Sequence, residues 1–223
     1  MHKSLILLGF AVLVLSSCKK DSTLESVTVK YEVGDKFIYI MEGSYLYDDT
    51  TTTNLDSASL QYDTISTEIL KDTMINNYLC KVVYNKGGLS QGLEYLTFLE
   101  DGCYAVAERS DDNNELYIFD NPILQYPSKM TIGSHWDESP DGKNRLYEVV
   151  NHAEISTQSG KFNCVKIKYN VFPNDGFFNV GDDIHEYISD KGLVKLSFSS
   201  SNSIRSEGMH GKVYWSIKIH RIN

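Results

Sequence analysis

Lys36-Phe37-Ile38-Tyr39-Ile40-Met41 (KFIYIM) is dominated by β-branched and aromatic side chains, and it follows Val27-Thr28-Val29-Lys30-Tyr31, where apolar and polar residues alternate. Successive side chains of a strand point to opposite faces, so both stretches read as strands with one face turned to a core. The signature recurs over 78–84, 94–99, 104–107, 115–119 and 145–150, then over 162–169, 184–188, 193–198 and 212–222. Turn-forming runs separate these segments: Asn85-Lys86-Gly87-Gly88, Asp111-Asp112-Asn113-Asn114, Pro140-Asp141-Gly142, Asn174-Asp175-Gly176 and Asp190-Lys191-Gly192. After residue 27 no segment holds a helical apolar period over three turns between caps. The expected fold is mainly β with few helices: a curved antiparallel sheet, either a half-barrel or an open barrel. Tyr47 to Ser59 (YDDTTTTNLDSAS) is polar and Thr-rich, and is expected to be a loop with strand at its ends.

An internal echo runs along the chain. Gly34-Asp35-Lys36-Phe37, the Cys80 segment 78–84, Glu94-Tyr95-Leu96-Thr97 and Asp101-Gly102 are matched in order by later residues. The counterparts are Gly133-Ser134-His135-Trp136, Phe162-Asn163-Cys164-Val165-Lys166-Ile167, Glu186-Tyr187-Ile188-Ser189 and Lys191-Gly192. Order is kept and spacing is not, as two similar β-meander halves (about 28–110 and 126–222) or chance among strand-rich segments would both produce.

The chain has 223 residues, formal net charge −9, 41% hydrophobic and 23% charged residues, which is globular composition. The acid excess argues against nucleic acid as a partner, since such proteins show a basic face. Aromatics are abundant, with 15 Tyr, 9 Phe and 2 Trp. They are consistent either with a ligand-lining surface for glycan or lipid or with ordinary strand preference.

At the N-terminus, Met1-His2-Lys3 is a short basic region and Leu5 to Leu15 is apolar apart from Gly9. Eleven helical residues reach about 16 Å, half of a ~30 Å hydrocarbon core, so the run has the length of a secretory signal and not of a transmembrane helix. Leu15-Ser16-Ser17-Cys18 follows. This stretch resembles the lipobox of bacterial lipoproteins. The resemblance implies a signal peptide over 1–17, a diacylglyceryl group on the Cys18 thiol, cleavage before Cys18 and acylation of the new amine. Two or more acyl chains give stable anchoring where one does not. Residue two of the mature chain would be Lys19, not Asp. By the same resemblance that points to the outer membrane of a Gram-negative envelope and leaves open which face. Residues 18–27 read as a polar, flexible tether of about 30 Å when extended, and 28–223 as the β domain. Loss of Lys3 leaves 20 basic against 30 acidic residues, so the membrane partner is reached through the lipid on Cys18 and not through a basic patch.

Tyr126-Pro127, Gly133, Trp136, Gly160-Lys161-Phe162-Asn163-Cys164 and Gly192-Leu193-Val194-Lys195 resemble motifs of uncharacterised envelope lipoproteins. Those are similar in turn to the curved half-barrels of lipoprotein carriers. The resemblance implies an apolar concave face and brings no catalytic residue.

Gly88-Leu89-Ser90-Gln91-Gly92 matches a nucleophile elbow, with Asp182, Asp183 and His185 downstream. A polar turn precedes it and strand–helix alternation is missing, so a glycine-rich hairpin loop is the expected reading. Asp182, Asp183, His185 and Glu186 are hard ligands, but strand alternation divides them between two faces. Asp111 to Glu115 lacks the glycine and the final glutamate of a calcium loop. His135, His152, His210 and His220 show no metal spacing. No catalytic residue, metal or cofactor is therefore expected, and the chain reads as a non-enzyme. Of the remaining thiols Cys80, Cys103 and Cys164, the pair Cys80–Cys103 is the disulfide to test first, and Cys80 and Cys164 also suit small buried apolar positions. The expected function is a lipid-anchored envelope protein binding a ligand or partner (lipid, glycan or envelope protein). The rivals are a lipid- or lipoprotein-handling half-barrel, a hydrolase using Ser90, and a structural subunit of an outer-membrane complex.

Overall fold

The computed structural model describes residues 26–49, 55–87, 91–112, 114–138, 144–172, 183–206 and 209–223. Twelve strands follow one another: β1 (Lys36–Asp49), β2 (Leu55–Ile75), β3 (Tyr78–Lys86), β4 (Gly92–Phe98), β5 (Gly102–Ser110), β6 (Leu116–Pro127), β7 (His135–Glu138), β8 (Asn144–Thr157), β9 (Gly160–Phe172), β10 (Asp183–Ser189), β11 (Gly192–Ser206) and β12 (Met209–Arg221). No helix occurs among the described residues. All twelve belong to one antiparallel sheet in the order β6-β5-β4-β3-β2-β1-β12-β11-β10-β9-β8-β7. The sheet curls into a nearly closed barrel. The first and last strands pair from Tyr39↔Arg221 to Asp49↔Gly211, and the unsealed seam lies between β6 and β7.

β2 is the longest strand, and over 60–75 it was not legible as one. Its sequence LQYDTISTEILKDTMI mixes Thr, Ser, Asp and Lys among the apolar residues, which blurs the alternation. In the fold Ile65, Thr67 and Ile69 face inward, and Asn76 and Asn77, at φ of 44° and 68°, form the two-residue turn into β3. A two-residue hairpin loop of this kind needs positive φ at both positions, which asparagine tolerates. The ends of the Thr-rich patch, Tyr47–Asp49 and Leu55–Ser59, lie in β1 and β2, while 50–54 fall outside the described residues.

The strands split into two successive runs, β1–β6 and β7–β12, that share an entry turn and two register slips. Before β1, the Gly34 N–H donates to Ile69 O and the Ile69 N–H to Asp35 O, each at 2.8 Å. Before β7, the Gly133 N–H donates to Val149 O at 2.8 Å and the Val149 N–H to Ser134 O at 2.9 Å. The register then slips by one residue just after Ile69 and just after Val149. A second slip passes over Val106 opposite Tyr95 and Leu96, and over Val194 opposite Tyr187 and Ile188. Such bulges bend the strands and increase twist, which a closing sheet requires.

Residues 27–31 run across the interior at one end of the barrel. Val27 exchanges two backbone hydrogen bonds with Met130, and the Lys30 N–H donates to Asp190 O. Val27 and Val29 thereby enter the main core beside Met130, Trp136, Val149, Val165 and Ile188, all nearly inaccessible to solvent. A smaller core of Ile69, Val83, Leu96 and Cys103 lies in the first run, and Tyr31 packs against both. Its ring meets Phe98 edge-on with centroids 5.9 Å apart.

Candidate functional site

The two runs differ in one row of inward side chains. In the second run Trp136, Tyr147, Tyr169, Ile184 and Phe198 are successive cross-strand partners on β7 to β11, all buried in the main core. Trp136 stacks on Tyr147 with centroids 5.1 Å apart, and Tyr147 meets Tyr169 at 5.0 Å. Aromatic pairs of this kind add about 0.5–1.5 kcal/mol each beyond the area they bury. The matching partners in the first run are Phe37, Thr67, Asn85, Gly92 and Ser110. Four large side chains are thus replaced by small or polar ones. At Gly92 no side chain fits at all, because a Cβ would lie 2.2 Å from the Arg109 carbonyl oxygen.

The space those side chains leave is a cavity of about 260 Å³. Thr67 and Asn85 line it, joined by a hydrogen bond from Thr67 Oγ1 to Asn85 Oδ1 at 2.7 Å. Ile65, Val83, Leu96, Leu193 and Ile219 supply apolar walls, and Tyr31, Tyr39, Tyr126, Gln125 and Glu94 supply polar groups. The Tyr39 hydroxyl donates to Leu193 O at 3.1 Å, tying β1 to β11 across the cavity. Burial raises the Tyr31 and Tyr126 hydroxyls well above their ordinary value and pushes Tyr39 to about 12, so all three are neutral hydrogen-bonding groups. A shallower hollow of about 270 Å³ adjoins the cavity, sharing Asn85 and Glu94 with it and adding Glu108, Arg109, Ser110 and Asp112.

A concave, mostly apolar space with a few convergent polar groups is what small-molecule sites have in common. None of its lining residues was singled out as a site in the sequence. The signal exists, since Glu94 and Glu186 occupy matching places in the echo, but exposing Thr67 and Asn85 as the odd members of a row requires the strand register.

The residues that were singled out lie elsewhere. Cys18, Ser90 and Asp182 fall outside the described residues. Asp183 and His185 share a face, with Oδ2 and Nδ1 3.5 Å apart, while Glu186 lies on the opposite, inward face. Partial burial lowers the His185 pKa, as do Lys166 and Lys168, against the opposing effect of Asp183. Asp111 accepts hydrogen bonds from Tyr84 Oη and Gln91 Nε2 and so fastens the β5–β6 turn to its neighbours. Among the described residues no three His, Cys, Asp or Glu side chains gather as a metal site.

Cys80, Cys103 and Cys164 are buried free thiols. The suggested Cys80–Cys103 bridge is not formed, because β4 lies between their strands. Two strand spacings amount to about 10 Å, beyond the ~7 Å that a disulfide spans between Cα atoms. Cys80 and Cys164 instead occupy matching positions in the two runs. Each Sγ lies 3.5–3.6 Å from the carbonyl two residues back, on Tyr78 and Phe162. Burial pushes the Cys103 and Cys164 thiols up to about 12.

No protein-family model and no curated protein matches the chain. It is similar to the solved structure of an uncharacterised exported protein with a YMCC-like fold from Bacteroides fragilis NCTC 9343, at 13% identity and a TM-score of 0.41, over 86% of this chain and 97% of that one. It is also similar to that of an uncharacterised lipoprotein from Parabacteroides distasonis ATCC 8503, at 14% identity and a TM-score of 0.37, over the same shares of the two chains. Both likenesses are too distant to transfer a function.

Proposed function

We propose that this chain is a lipid-anchored cell-envelope protein, tethered through Cys18 to the outer membrane, whose barrel binds a small ligand and performs no chemistry on it. The observation that carries the binding role is the broken row. One half of the sheet fills its interior with Trp136, Tyr147, Tyr169, Ile184 and Phe198, and the other keeps Thr67 and Asn85 around a cavity, with Gly92 and Ser110 at the hollow beside it. Open space inside a protein forfeits packing energy unless something occupies it, since interiors otherwise pack as densely as organic crystals. The Leu15-Ser16-Ser17-Cys18 stretch and the polar tether after it support the anchoring.

Native mass spectrometry of the full chain, expressed with its own N-terminus and released gently from the envelope, tests both parts. The expected result is a protein mass shifted by its acyl groups, plus a discrete ligand lost on denaturation. Cys18→Ser is expected to lose the acyl mass and the membrane fraction. The double variant Thr67→Tyr/Asn85→Tyr copies the filled half and is expected to lose the ligand while remaining folded. Ligand retained by that double variant sinks the cavity reading.

A further inference from the structure

Unspent hydrogen bonds, more than charge, narrow the ligand class. Several polar groups around the cavity are already engaged. The Tyr39 hydroxyl donates to Leu193 O, and Thr67 Oγ1 donates to Asn85 Oδ1. Gln125 and Glu94, the latter the one charged side chain among the described lining residues, each have a partner within the protein. The Tyr31 and Tyr126 hydroxyls differ. Burial and neighbouring charges shift both, and no hydrogen bond to another described residue does. The outward-facing tyrosines Tyr84 and Tyr104, by contrast, donate to the Asp111 and Asp101 carboxylates. Tyr31 Oη rests against Gly192, next to Leu193 of the cavity wall, and Tyr31 is one of the neighbours that shift Tyr126. The third unspent group is the Asn85 amide nitrogen, since Thr67 occupies the Oδ1 of that side chain.

All three groups can donate: two phenolic O–H groups and an amide N–H₂. Buried donors are almost always hydrogen-bonded, and one left without a partner costs more than a made bond gains. Whatever fills the cavity is therefore selected for acceptor oxygens. Charge is selected against in both signs. No lysine, arginine or histidine occurs among the described lining residues, so a carboxylate or phosphate would lose its hydration without gaining a counter-charge. With Glu94 engaged, a cation finds no free counter-charge either. The walls formed by Ile65, Val83, Leu96, Leu193 and Ile219 favour an apolar body.

We propose that the cavity binds an uncharged, largely apolar molecule whose carbonyl or ether oxygens accept hydrogen bonds from Tyr31, Tyr126 and Asn85. The inference rests on the reading of the cavity as a ligand site. Cyclohexanone and methylenecyclohexane have nearly the same shape and differ in whether the exocyclic atom accepts a hydrogen bond, so they serve as matched probes. Each is titrated calorimetrically into the full-length chain and its variants in one detergent, so that partition into micelles cancels in the comparison. Tyr31→Phe/Tyr126→Phe removes both hydroxyls and keeps the rings. It is expected to weaken the ketone about tenfold or more and to leave the hydrocarbon bound at least as tightly as before. Tyr126→Phe alone is expected to weaken the ketone about threefold or more, and it carries the test if the double variant does not fold. Melting temperatures report folding. Thr67→Tyr/Asn85→Tyr is expected to abolish binding of both probes. If it does so while the phenylalanine variants weaken the ketone no more than the hydrocarbon, the cavity reading stands and the acceptor class falls. Neither probe binding the parent at millimolar concentration, or both binding unchanged in the folded tyrosine double variant, overturns the two readings together.

Discussion

The β1–β6 and β7–β12 runs share two bulges, their entry turns and the placement of a buried cysteine, yet only the second fills the row of inward side chains. The backbone plan is therefore indifferent to what stands in the row between the bulges. Tyr147 and Tyr169 make that row a core, and Thr67 and Asn85 make it a cavity. The filled row and the open row thus stand in opposite halves of a single sheet, and the division can be probed by perturbing matched positions.

The largest contrast is expected at high pH. Tyr39 and Cys103 on the first-run side, against Cys164 on the second, have folded-state pKa values raised to about 12 by burial. Such groups contribute stability that is fully present below their unfolded pKa values, near 9 and 10, and is lost as pH rises toward 12. Each raised unit corresponds to about 1.4 kcal/mol, so resistance to urea is expected to hold level to about pH 9 and then to fall by several kcal/mol. Tyr39→Phe removes one of these groups and is expected to make the alkaline fall shallower. An equally steep fall in that variant would place the sensitivity outside the cavity.

Next in size is a core truncation made on both sides. Ile167→Ala, in the filled run, is expected to cost about 3–4 kcal/mol in urea denaturation. The matching change Val83→Ala, at the cavity wall, is expected to cost under about 2 kcal/mol, because it enlarges a space that already exists. Equal costs, once the extra methylene of isoleucine is allowed for, would mean that the first run is as tightly packed as the second.

A smaller contrast lies in two glycines with similar backbone angles. Gly192 has φ of +81°, and a Cβ there would lie 2.4 Å from Tyr31 Oη; Gly133 has φ of +87° and nothing within 4 Å. Gly133→Ala is expected to cost only the ~1 kcal/mol of the strained angle, and Gly192→Ala roughly 1–2 kcal/mol more because Tyr31 must shift. Comparable thermal shifts for the two would show that Tyr31 yields without loss and is not a fixed part of the lining.

The sheet itself was legible in the sequence wherever β-branched and aromatic residues dominate, as in Lys36–Met41 and Phe162–Tyr169. It faded in β2, where Thr67 is inward and Asp63, Thr64 and Lys71 flank the apolar positions. The echo could be read in order but not in period, because β1 and β2 form a hairpin far longer than that of β7 and β8. The cavity was not legible. A threonine and an asparagine in polar-looking strands carry no mark of being interior, and only cross-strand register places them opposite each other. Burial of Cys80 and Cys164 follows from their apolar neighbours in sequence, whereas the separation of Cys80 from Cys103 depends on which strand lies between them.

The closure of the sheet by its first and last strands also constrains how the protein is made. Neighbouring strands along each run can pair as soon as they emerge, but Tyr39 cannot meet Arg221 until nearly the whole chain has been delivered. Until then one edge of β1 has no partner within the chain, and an unpaired strand edge is a template for association with other chains. Joining the two meanders along β1 and β12 is thus a closure of high sequence separation, the class of contact that slows folding most.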